Sequence, residues 1–364
     1  MSTFPEGNAV IYCQGAFGTP NGKTAHGLVR RTKRYNVLSV VDARHAGEDA
    51  GECLDGKPRD IPIYAGTAEA VDAARKRSTP ASHWVMGLAP DGGRLSPESR
   101  EHVTEAVRLG LNVDSGLHDF LSEDDEIAAL AEENGIRIRD VRKTPPRKDL
   151  HFFTGKIEQI TSVKVALLGT DSAVGKRTTA WLLADAFNAR GLKAELIGTG
   201  QTAWMQGVRF GMIMDSLIND FVSGEIEHAV WTAWHETKPE VIIVEGQGSL
   251  MNPAYPGGFE ILAAGRPDAV VLQHAPARKE YDGFPGYPLH PLETQIQAIE
   301  FLSGKPVVAV TVNSEKLERD LIPAVCADIT ARTGLPAVEP LLNGVGRVVE
   351  ALIPFFGRSR RTGR

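Results

Sequence analysis

Residues 169–179, GTDSAVGKRTT, combine glycines, a lysine and hydroxyl side chains at a spacing that suits phosphate binding. The common pattern is G-x-x-x-x-G-K-[ST], whereas here five residues separate Gly169 from Gly175 and an arginine follows Lys176. A glycine-rich turn between a strand and a helix directs backbone N–H groups into one concavity, where the helix N-terminus adds partial positive charge. We therefore predict a cofactor phosphate site, with Lys176 on a phosphate oxygen. Its predicted residues are Gly169, Thr170, Asp171, Ser172, Ala173, Val174, Gly175, Lys176, Arg177 and Thr178.

Arg177 distinguishes this loop from those that hydrolyse a phosphate. In the hydrolysing loops, the hydroxyl directly after the lysine coordinates Mg²⁺. An arginine cannot ligate a metal, but it can donate two hydrogen bonds to a phosphate that does not react. The loop therefore suits the phosphates of a cofactor that do not themselves react. Thr178 lies one position further along, so a magnesium-dependent ATP site stays open as the alternative.

Apolar runs that alternate with amphipathic stretches predict the elements that position this loop. The predicted strands are 8–12, 36–42, 61–66, 83–89 and 111–114 in the first half, and 163–170, 193–200, 239–248, 268–275 and 305–313 in the second. The predicted helices include 67–77, 96–110 and 176–191. Strand-helix alternation predicts an α/β fold with parallel sheets covered on both faces. Ligands bind such sheets at the carboxyl ends of the strands.

A domain boundary is predicted where RKTPPRKDL, residues 142–150, interrupts this alternation with paired prolines and charges. The predicted organisation is an N-terminal domain over 1–145, a C-terminal domain over 146–357 and a basic tail over 358–364.

Composition narrows the function classes. The chain has 364 residues and a net charge of −6, which argues against a nucleic-acid-binding surface. No apolar run reaches the ~18 residues that a membrane span needs, and the N-terminus lacks a signal pattern. Cys13, Cys53 and Cys326 are too widely spaced for a C-x-x-C metal site, and their odd number argues against a disulfide framework. We therefore expect a cytoplasmic protein that acts on a small molecule, without nucleic acid or membrane as a partner, and we expect a homo-oligomer.

Two segments resemble dethiobiotin synthetase and related P-loop enzymes. GTDSAVGK is similar to their extended loop G-T-D-[ST]-x-V-G-K-T, and VIIVEGQGS is similar to their V-E-G-A-G-G strand end. The resemblance implies that Glu245 and, through a weaker match, Asp215 bind magnesium if a metal is used. It also implies that Asn313, which ends a strand, recognises an adenine base.

A resemblance that covers nearly the whole chain is carried by GKTAHGLVR, GTDSAVGKRTTA, GTGQTAWMQG, VEGQGSLMNPAYP, LQHAPARKEYDGFP and VTVNSE. Together these segments resemble the D-glutamate N-acetyltransferase family. The resemblance implies a Rossmann-like N-terminal domain and a P-loop NTPase-like C-terminal domain, both with mainly parallel sheets. It also implies acetyl transfer from acetyl-CoA to the amine of D-glutamate or a similar amino acid, in D-amino-acid catabolism.

Acetyl transfer to an amine requires a base, because the substrate ammonium must lose a proton before it attacks the thioester. Glu245 is the leading candidate base, with a metal ligand or a loop-capping carboxylate as its alternative role. His274 also ends a strand, and for it catalysis and a structural hydrogen bond stay open. Asp215 is the third candidate for the catalytic group.

The carboxylates of such a substrate call for cationic side chains. Arg278 and Lys279 are the best placed, and Arg209 comes second. In the first domain, Lys23 and Thr24 would suit a carboxylate or phosphate at a helix start.

Two other functions stay open at this point. An ATP-dependent carboxylate ligase would use Glu245, but IGTGQT stands where dethiobiotin synthetases carry a lysine after their second strand. A nucleotide-sensing regulatory protein would bind nucleotide without turnover.

Overall fold

The computed structural model describes residues 4–356, and the chain forms two compact units. The first unit comprises Met1–Thr144 together with Gln201–Val208, and the second comprises Pro145–Gly200 together with Arg209–Arg364. The predicted tail, 358–364, lies outside the described residues. Among the described residues, no helix is both long enough and apolar enough to cross a membrane.

The first unit is built on a six-stranded parallel sheet. Its strands are β1 (Gly7–Tyr12), β2 (Tyr35–Val41), β3 (Ile63–Tyr64), β4 (His83–Met86), β5 (Asn112–Ser115) and β6 (Ile138–Asp140). Its first five helices are α1 (Lys23–Arg30), α2 (Ala50–Asp55), α3 (Thr67–Lys76), α4 (Pro97–Arg108) and α5 (Asp125–Glu133). The strand order is β3-β2-β1-β4-β5-β6, which is the order of dinucleotide-binding Rossmann folds.

Strand β1 lies in the middle of this sheet, and its residues cover both faces. Val10 and Tyr12 pack in one apolar cluster with Trp84, whereas Ala9 and Ile11 pack in another cluster on the opposite face. Successive side chains of a strand point to opposite faces, so a strand buried on both sides must be apolar throughout. The apolar run that predicted this strand is therefore the direct consequence of its central position.

The second unit is built on a seven-stranded parallel sheet of order β13-β12-β11-β7-β10-β8-β9. Its strands are β7 (Val163–Gly169), β8 (Ala194–Gly198), β9 (Phe210–Gly211), β10 (Val241–Glu245), β11 (Ala269–His274), β12 (Val307–Val312) and β13 (Ala337–Val338). The remaining helices, of which α7 belongs to the first unit, are α6 (Lys176–Ala189), α7 (Gln201–Met205), α8 (Asn219–Thr237), α9 (Gly258–Gly265), α10 (Leu292–Ser303), α11 (Ile322–Thr333), α12 (Pro340–Asn343) and α13 (Gly346–Leu352). Every residue of β7 is buried, so the loop that follows it starts from the centre of the sheet.

Each predicted strand is present, and the predicted α/β class with parallel sheets is confirmed. Three further strands of the described chain, β6, β9 and β13, lie at sheet edges and are two or three residues long. The predicted α4 begins as expected, because the Ser96 hydroxyl accepts a hydrogen bond from the backbone N–H of Ser99 and Pro97 occupies the first turn.

The segment Gln201–Val208 follows β8 in the chain but belongs to the first unit. The guanidinium groups of Arg34 and Arg139 lie 3.6 Å and 4.4 Å from the ring centroid of Trp204. Gln206 donates from Nε2 to the carbonyl oxygen of Gly27 at 2.7 Å. Cation–π contacts and hydrogen bonds therefore hold this segment within the first unit.

Candidate functional site

The loop between β7 and α6 has the backbone conformation of a tight, left-handed turn. Gly175, which caps α6, has φ +99°, a conformation that L side chains rarely adopt. Ala173 has φ +51°, in the left-handed region that glycine normally occupies. Two residues with positive φ, Ala173 and Gly175, thus accommodate the five residues that separate Gly169 from Gly175 in the sequence.

Lys176 runs beneath this loop instead of extending into solvent. The residue is 7% exposed, and Nζ donates to the carbonyl oxygens of Asp171 at 2.7 Å and Gly248 at 2.8 Å. A Cβ atom on Gly169 would lie 2.8 Å from Lys176 Cδ, and one on Gly246 would lie 2.9 Å from the same atom. The two glycines therefore make room for the lysine stem, which explains the glycines at both strand ends.

Three successive carbonyl groups of the loop are held by side chains. Arg278 donates from Nη1 to Ser172 O at 2.7 Å and from Nη2 to Ala173 O at 3.3 Å. Asn313 donates from Nδ2 to Val174 O at 2.9 Å. In a trans peptide the C=O and N–H groups point in opposite directions, so the N–H groups that follow these carbonyls point away from both side chains. With Lys176 nearby, this arrangement suits the binding of phosphate oxygens.

Asp171 is fully buried, and four donors occupy its carboxylate. Oδ1 accepts from the N–H of Ser172 at 2.7 Å and from Asn252 Nδ2 at 2.9 Å. Oδ2 accepts from Arg278 Nη1 at 2.9 Å and from the N–H of Asp282 at 2.8 Å. The carboxylate thus ties the loop to two other chain segments.

Glu245 ends β10, and its side chain is buried, with only 5% of the residue exposed. Oε2 accepts a hydrogen bond from the N–H of Thr199 at 3.1 Å, and Oε1 lies 3.9 Å from Nη1 of Arg177. Burial raises the pKa of this carboxyl above its usual value, and the charge of Arg177 opposes part of that shift. A carboxylate with a raised pKa accepts a proton more readily than an ordinary one.

His274 ends β11, and its Nδ1 lies 3.0 Å from Oγ1 of Thr170. Burial and, to a smaller extent, the charge of Arg332 lower the pKa of this imidazole to about 4. An imidazole with that pKa is neutral near pH 7 and a weak base. Of the two strand-end candidates, Glu245 therefore has the better electrostatics for proton abstraction.

The other predicted residues of the second unit lie in more exposed positions. Asp215 is exposed. Burial raises the pKa of Tyr255 most, the charge of Glu260 adds to this shift, and the charge of Asp215 contributes less. Arg209 forms an ion pair with Glu236, and Lys279 is exposed. In the described part of the chain, no group of three or more His, Cys, Asp or Glu side chains could hold a metal ion.

The predicted residues of the first unit lie at the start of α1. Lys23 is exposed, whereas Thr24 is buried and its hydroxyl lies 2.8 Å from that of Thr202. Asp42, which follows β2 where a Rossmann fold places a ribose-binding acid, is buried and accepts hydrogen bonds from the N–H groups of Gly15 and Phe17. Its carboxylate thus binds a loop of its own unit.

Several residues around the loop have no role in the sequence prediction. Gln273 accepts at Oε1 from the hydroxyls of Thr179 and Thr311, both at 2.6 Å. Its position inside the apolar run VVLQH is a signal that could have revealed it, since a buried polar side chain needs partners. Asn252 and Glu315 carry no comparable signal, because their contacts, with Asp171 and Arg278 respectively, join segments far apart in the chain.

Family models match both halves of the chain. Residues 43–144 match a domain of unknown function described as the Rossmann-like domain DUF1611_N. Residues 151–349 match a domain of unknown function described as the P-loop domain DUF1611_C.

Relatives with curated names cover most of the chain. A protein of Tritonibacter scottomollicae named D-glutamate N-acetyltransferase is 32% identical over 74% of this chain and 80% of its own length. A Pseudoalteromonas protein with the same name is 30% identical over 75% of this chain and 81% of its own length. The predicted resemblance to that family is confirmed.

A solved structure is similar to nearly the whole chain. The crystal structure of a DUF1611 family protein from Anabaena variabilis superposes with a TM-score of 0.87 at 26% identity, covering 96% of this chain and 100% of its own. Together with the family models, this match confirms the predicted fold class, a Rossmann-like N-terminal domain and a P-loop C-terminal domain. The chain belongs to the DUF1611 family.

Proposed function

We propose that the protein is an acetyl-CoA-dependent N-acetyltransferase that acts on the amine of D-glutamate or a similar amino acid. The observation that carries this proposal is the position of Glu245, which ends a strand beside the candidate phosphate-binding loop. Its carboxyl is buried, and burial raises its pKa. Such a carboxylate can take the proton that an ammonium must lose before it attacks a thioester. The names of two relatives at about 30% identity support acetyl transfer as the reaction.

The loop residues fit a cofactor whose phosphates do not react. Acetyl-CoA supplies an acetyl thioester that is already activated for transfer. The loop N–H groups and Lys176 would hold its phosphate oxygens, and Arg177 stands where a phosphate-hydrolysing loop has a metal-binding hydroxyl. Arg177 also lies beside Glu245, where its charge favours the ionised base.

A dicarboxylate substrate needs cationic partners. Four contacts to Asp171, Ser172, Ala173 and Glu315 engage the terminal nitrogens of Arg278, whereas its neighbour Lys279 is exposed. Lys279 is therefore our leading candidate for a substrate carboxylate. We also propose that the protein forms a homo-oligomer, which light scattering tests.

The central test compares wild-type enzyme with Glu245→Gln in an assay that contains acetyl-CoA and D-glutamate but no ATP. The wild type should release free coenzyme A, detected with a thiol reagent, and form N-acetyl-D-glutamate in equal amount. Glu245→Gln should lower kcat by about a hundredfold or more, because general bases contribute on that order. The affinity for acetyl-CoA should change little, since the base acts on the amine.

A matched control is Glu350→Gln, because Glu350 is a surface glutamate that pairs with Arg190 and is 65% exposed. This variant should keep wild-type turnover. If thiol release requires ATP and magnesium, or phosphate appears in step with product, the carboxylate ligase takes the place of the transferase. If acetyl-CoA or ATP binds without any turnover, the protein is a nucleotide sensor and not a transferase.

A further inference from the structure

We propose that Arg278 is a positioning residue that sets the orientation of the peptide groups in the phosphate-binding loop, and that it does not bind a substrate carboxylate. This role of Arg278 rests on the proposed function in one respect, which is that acetyl-CoA is the ligand whose phosphates the loop binds.

The contacts of Arg278 support this role. Its side chain is 9% exposed, and Nη1 donates to Asp171 Oδ2 at 2.9 Å and to Ser172 O at 2.7 Å. Nη2 donates to Ala173 O at 3.3 Å and to Glu315 Oε2 at 2.8 Å. Two terminal nitrogens carry four N–H bonds, so these four contacts use every N–H of Nη1 and Nη2. None of those N–H bonds is left for a carboxylate of the substrate.

The two carbonyl contacts determine where the loop amides point. The carbonyl of Ser172 belongs to the same planar peptide group as the N–H of Ala173, and the carbonyl of Ala173 to that of Val174. Because C=O and N–H are antiparallel in a trans peptide, both carbonyls on Arg278 direct both amides to the other side of the loop. Ala173 also has φ +51°, a conformation that needs such support from its surroundings.

The partners of Arg278 are themselves fixed. Asp171 is fully buried and also accepts from the N–H of Asp282, in the segment that follows β11. The N–H of Glu315 donates to Oδ1 of Asn313, whose Nδ2 holds the third loop carbonyl, that of Val174. Arg278 therefore joins the loop to two other strand ends. A lysine in its place would keep the positive charge, but its single nitrogen could not make the contacts that the two terminal nitrogens of the arginine make.

The experiment compares Arg278→Lys with wild type in two measurements. In ligand-free enzyme, hydrogen–deuterium exchange of peptides that cover 170–175 and 280–284 should become faster, because the amides of Ser172 and Asp282 depend on the anchored Asp171 carboxylate. In the assay, the KM for acetyl-CoA should rise about tenfold, which is the loss expected for a charge-assisted contact. The kcat at saturation and the KM for D-glutamate should stay within about twofold of wild type.

Arg190→Lys is the matched control, because Arg190 also pairs with a glutamate, Glu350, but lies at the opposite end of α6. It should change neither measurement. Glu315→Gln is a milder second variant that keeps Arg278 and should shift both measurements in the same direction by less.

Unchanged exchange in Arg278→Lys would overturn the proposal, and so would a raised KM for D-glutamate with an unchanged KM for acetyl-CoA, because Arg278 would then bind substrate. If the wild type does not use acetyl-CoA, the proposed function fails. The exchange measurement still decides the role of Arg278 in that case.

Discussion

The first loops of the two units are alike in topology and opposite in how they use their polar groups. In the first unit, the carboxylate of Asp42 accepts from the N–H groups of Gly15 at 3.0 Å and Phe17 at 3.1 Å. In the second unit, donors hold the loop from its carbonyl side, and Lys176 lies buried beneath it. The first loop binds an anion that belongs to the protein. In the second loop the internal carboxylate of Asp171 accepts from the N–H of Ser172, and we propose that the amides of Ala173 and Val174, which point away from Arg278, bind an external anion.

This difference teaches that strand order alone does not make a ligand site. Both sheets are parallel and open, and the first has the strand order of dinucleotide-binding folds. Amides that already bind an internal carboxylate are not available to a phosphate. In the first unit the loop amides meet Asp42, an acid after the second strand, whereas in the second unit the proposed phosphate ligand meets Lys176, a lysine after the first strand.

The largest effect is expected for Lys176→Ala, which should weaken acetyl-CoA binding about a hundredfold or more in calorimetry. The lysine would donate a charged hydrogen bond to a phosphate oxygen, and charged hydrogen bonds contribute on that order. Because its side chain is buried and bonded to two carbonyls, a moderate loss of stability should accompany the change.

Lys164→Ala separates these two effects. Lys164 is also a buried lysine, but it lies at the beginning of β7 and pairs with Asp268 at 3.3 Å. Its removal should lower the melting temperature and leave acetyl-CoA affinity unchanged. Equal affinity for acetyl-CoA in Lys176→Ala and wild type would remove the loop from the cofactor site.

The sequence predicted the strands because central parallel strands are continuously apolar, as in β7 and β10. It predicted the loop because glycine and lysine spacing is a local property. The role of Asp171 could not be predicted in this way, because its partners Asn252 and Arg278 lie 81 and 107 residues away. The inclusion of Gln201–Val208 in the first unit was missed for the same reason.

The sequence also did not predict where the Lys176 side chain lies in the protein without a ligand. The structure buries it against the carbonyls of Asp171 and Gly248. A sequence motif indicates which side chain can bind a phosphate, whereas the position of that side chain in the folded protein depends on its tertiary contacts.

A smaller effect is expected for Asp42→Asn, which should lower the free energy of unfolding by about 2 kcal/mol in urea denaturation. Asparagine cannot accept hydrogen bonds at both side-chain termini, so donors among Gly15, Phe17, Arg44 and His45 lose their partner. Burial alone would raise the pKa of Asp42, but these hydrogen bonds outweigh it and lower the pKa. Such a carboxylate stabilises the fold above its unfolded pKa, so the variant should also lose less stability below about pH 4.

Asp72→Asn is the control for that comparison, since Asp72 is a surface aspartate that is 65% exposed. It should change stability by less than about 0.5 kcal/mol. If Asp42→Asn is as stable as this control, the first loop is not held by an internal carboxylate, and the contrast between the two units fails.

The smallest effect concerns His274, which rests on a threonine hydroxyl in the second unit, whereas His45 rests on the Asp42 carboxylate in the first. Because burial lowers the pKa of His274 to about 4, the folded state binds its proton less readily than the unfolded chain. The stability that this histidine contributes is therefore present above its unfolded pKa, about 6.5, and is lost as the pH falls toward 4. Between about pH 7.5 and about pH 5.5, the wild type should lose about 1 kcal/mol of stability through this group.

His274→Gln should remove that loss in urea denaturation at the two pH values. His290→Gln, which changes an exposed histidine, should retain it. An identical pH dependence in His274→Gln and wild type would mean that the histidine titrates in the folded enzyme as it does in the unfolded chain, and its neutral, buried state beside the loop would have to be abandoned.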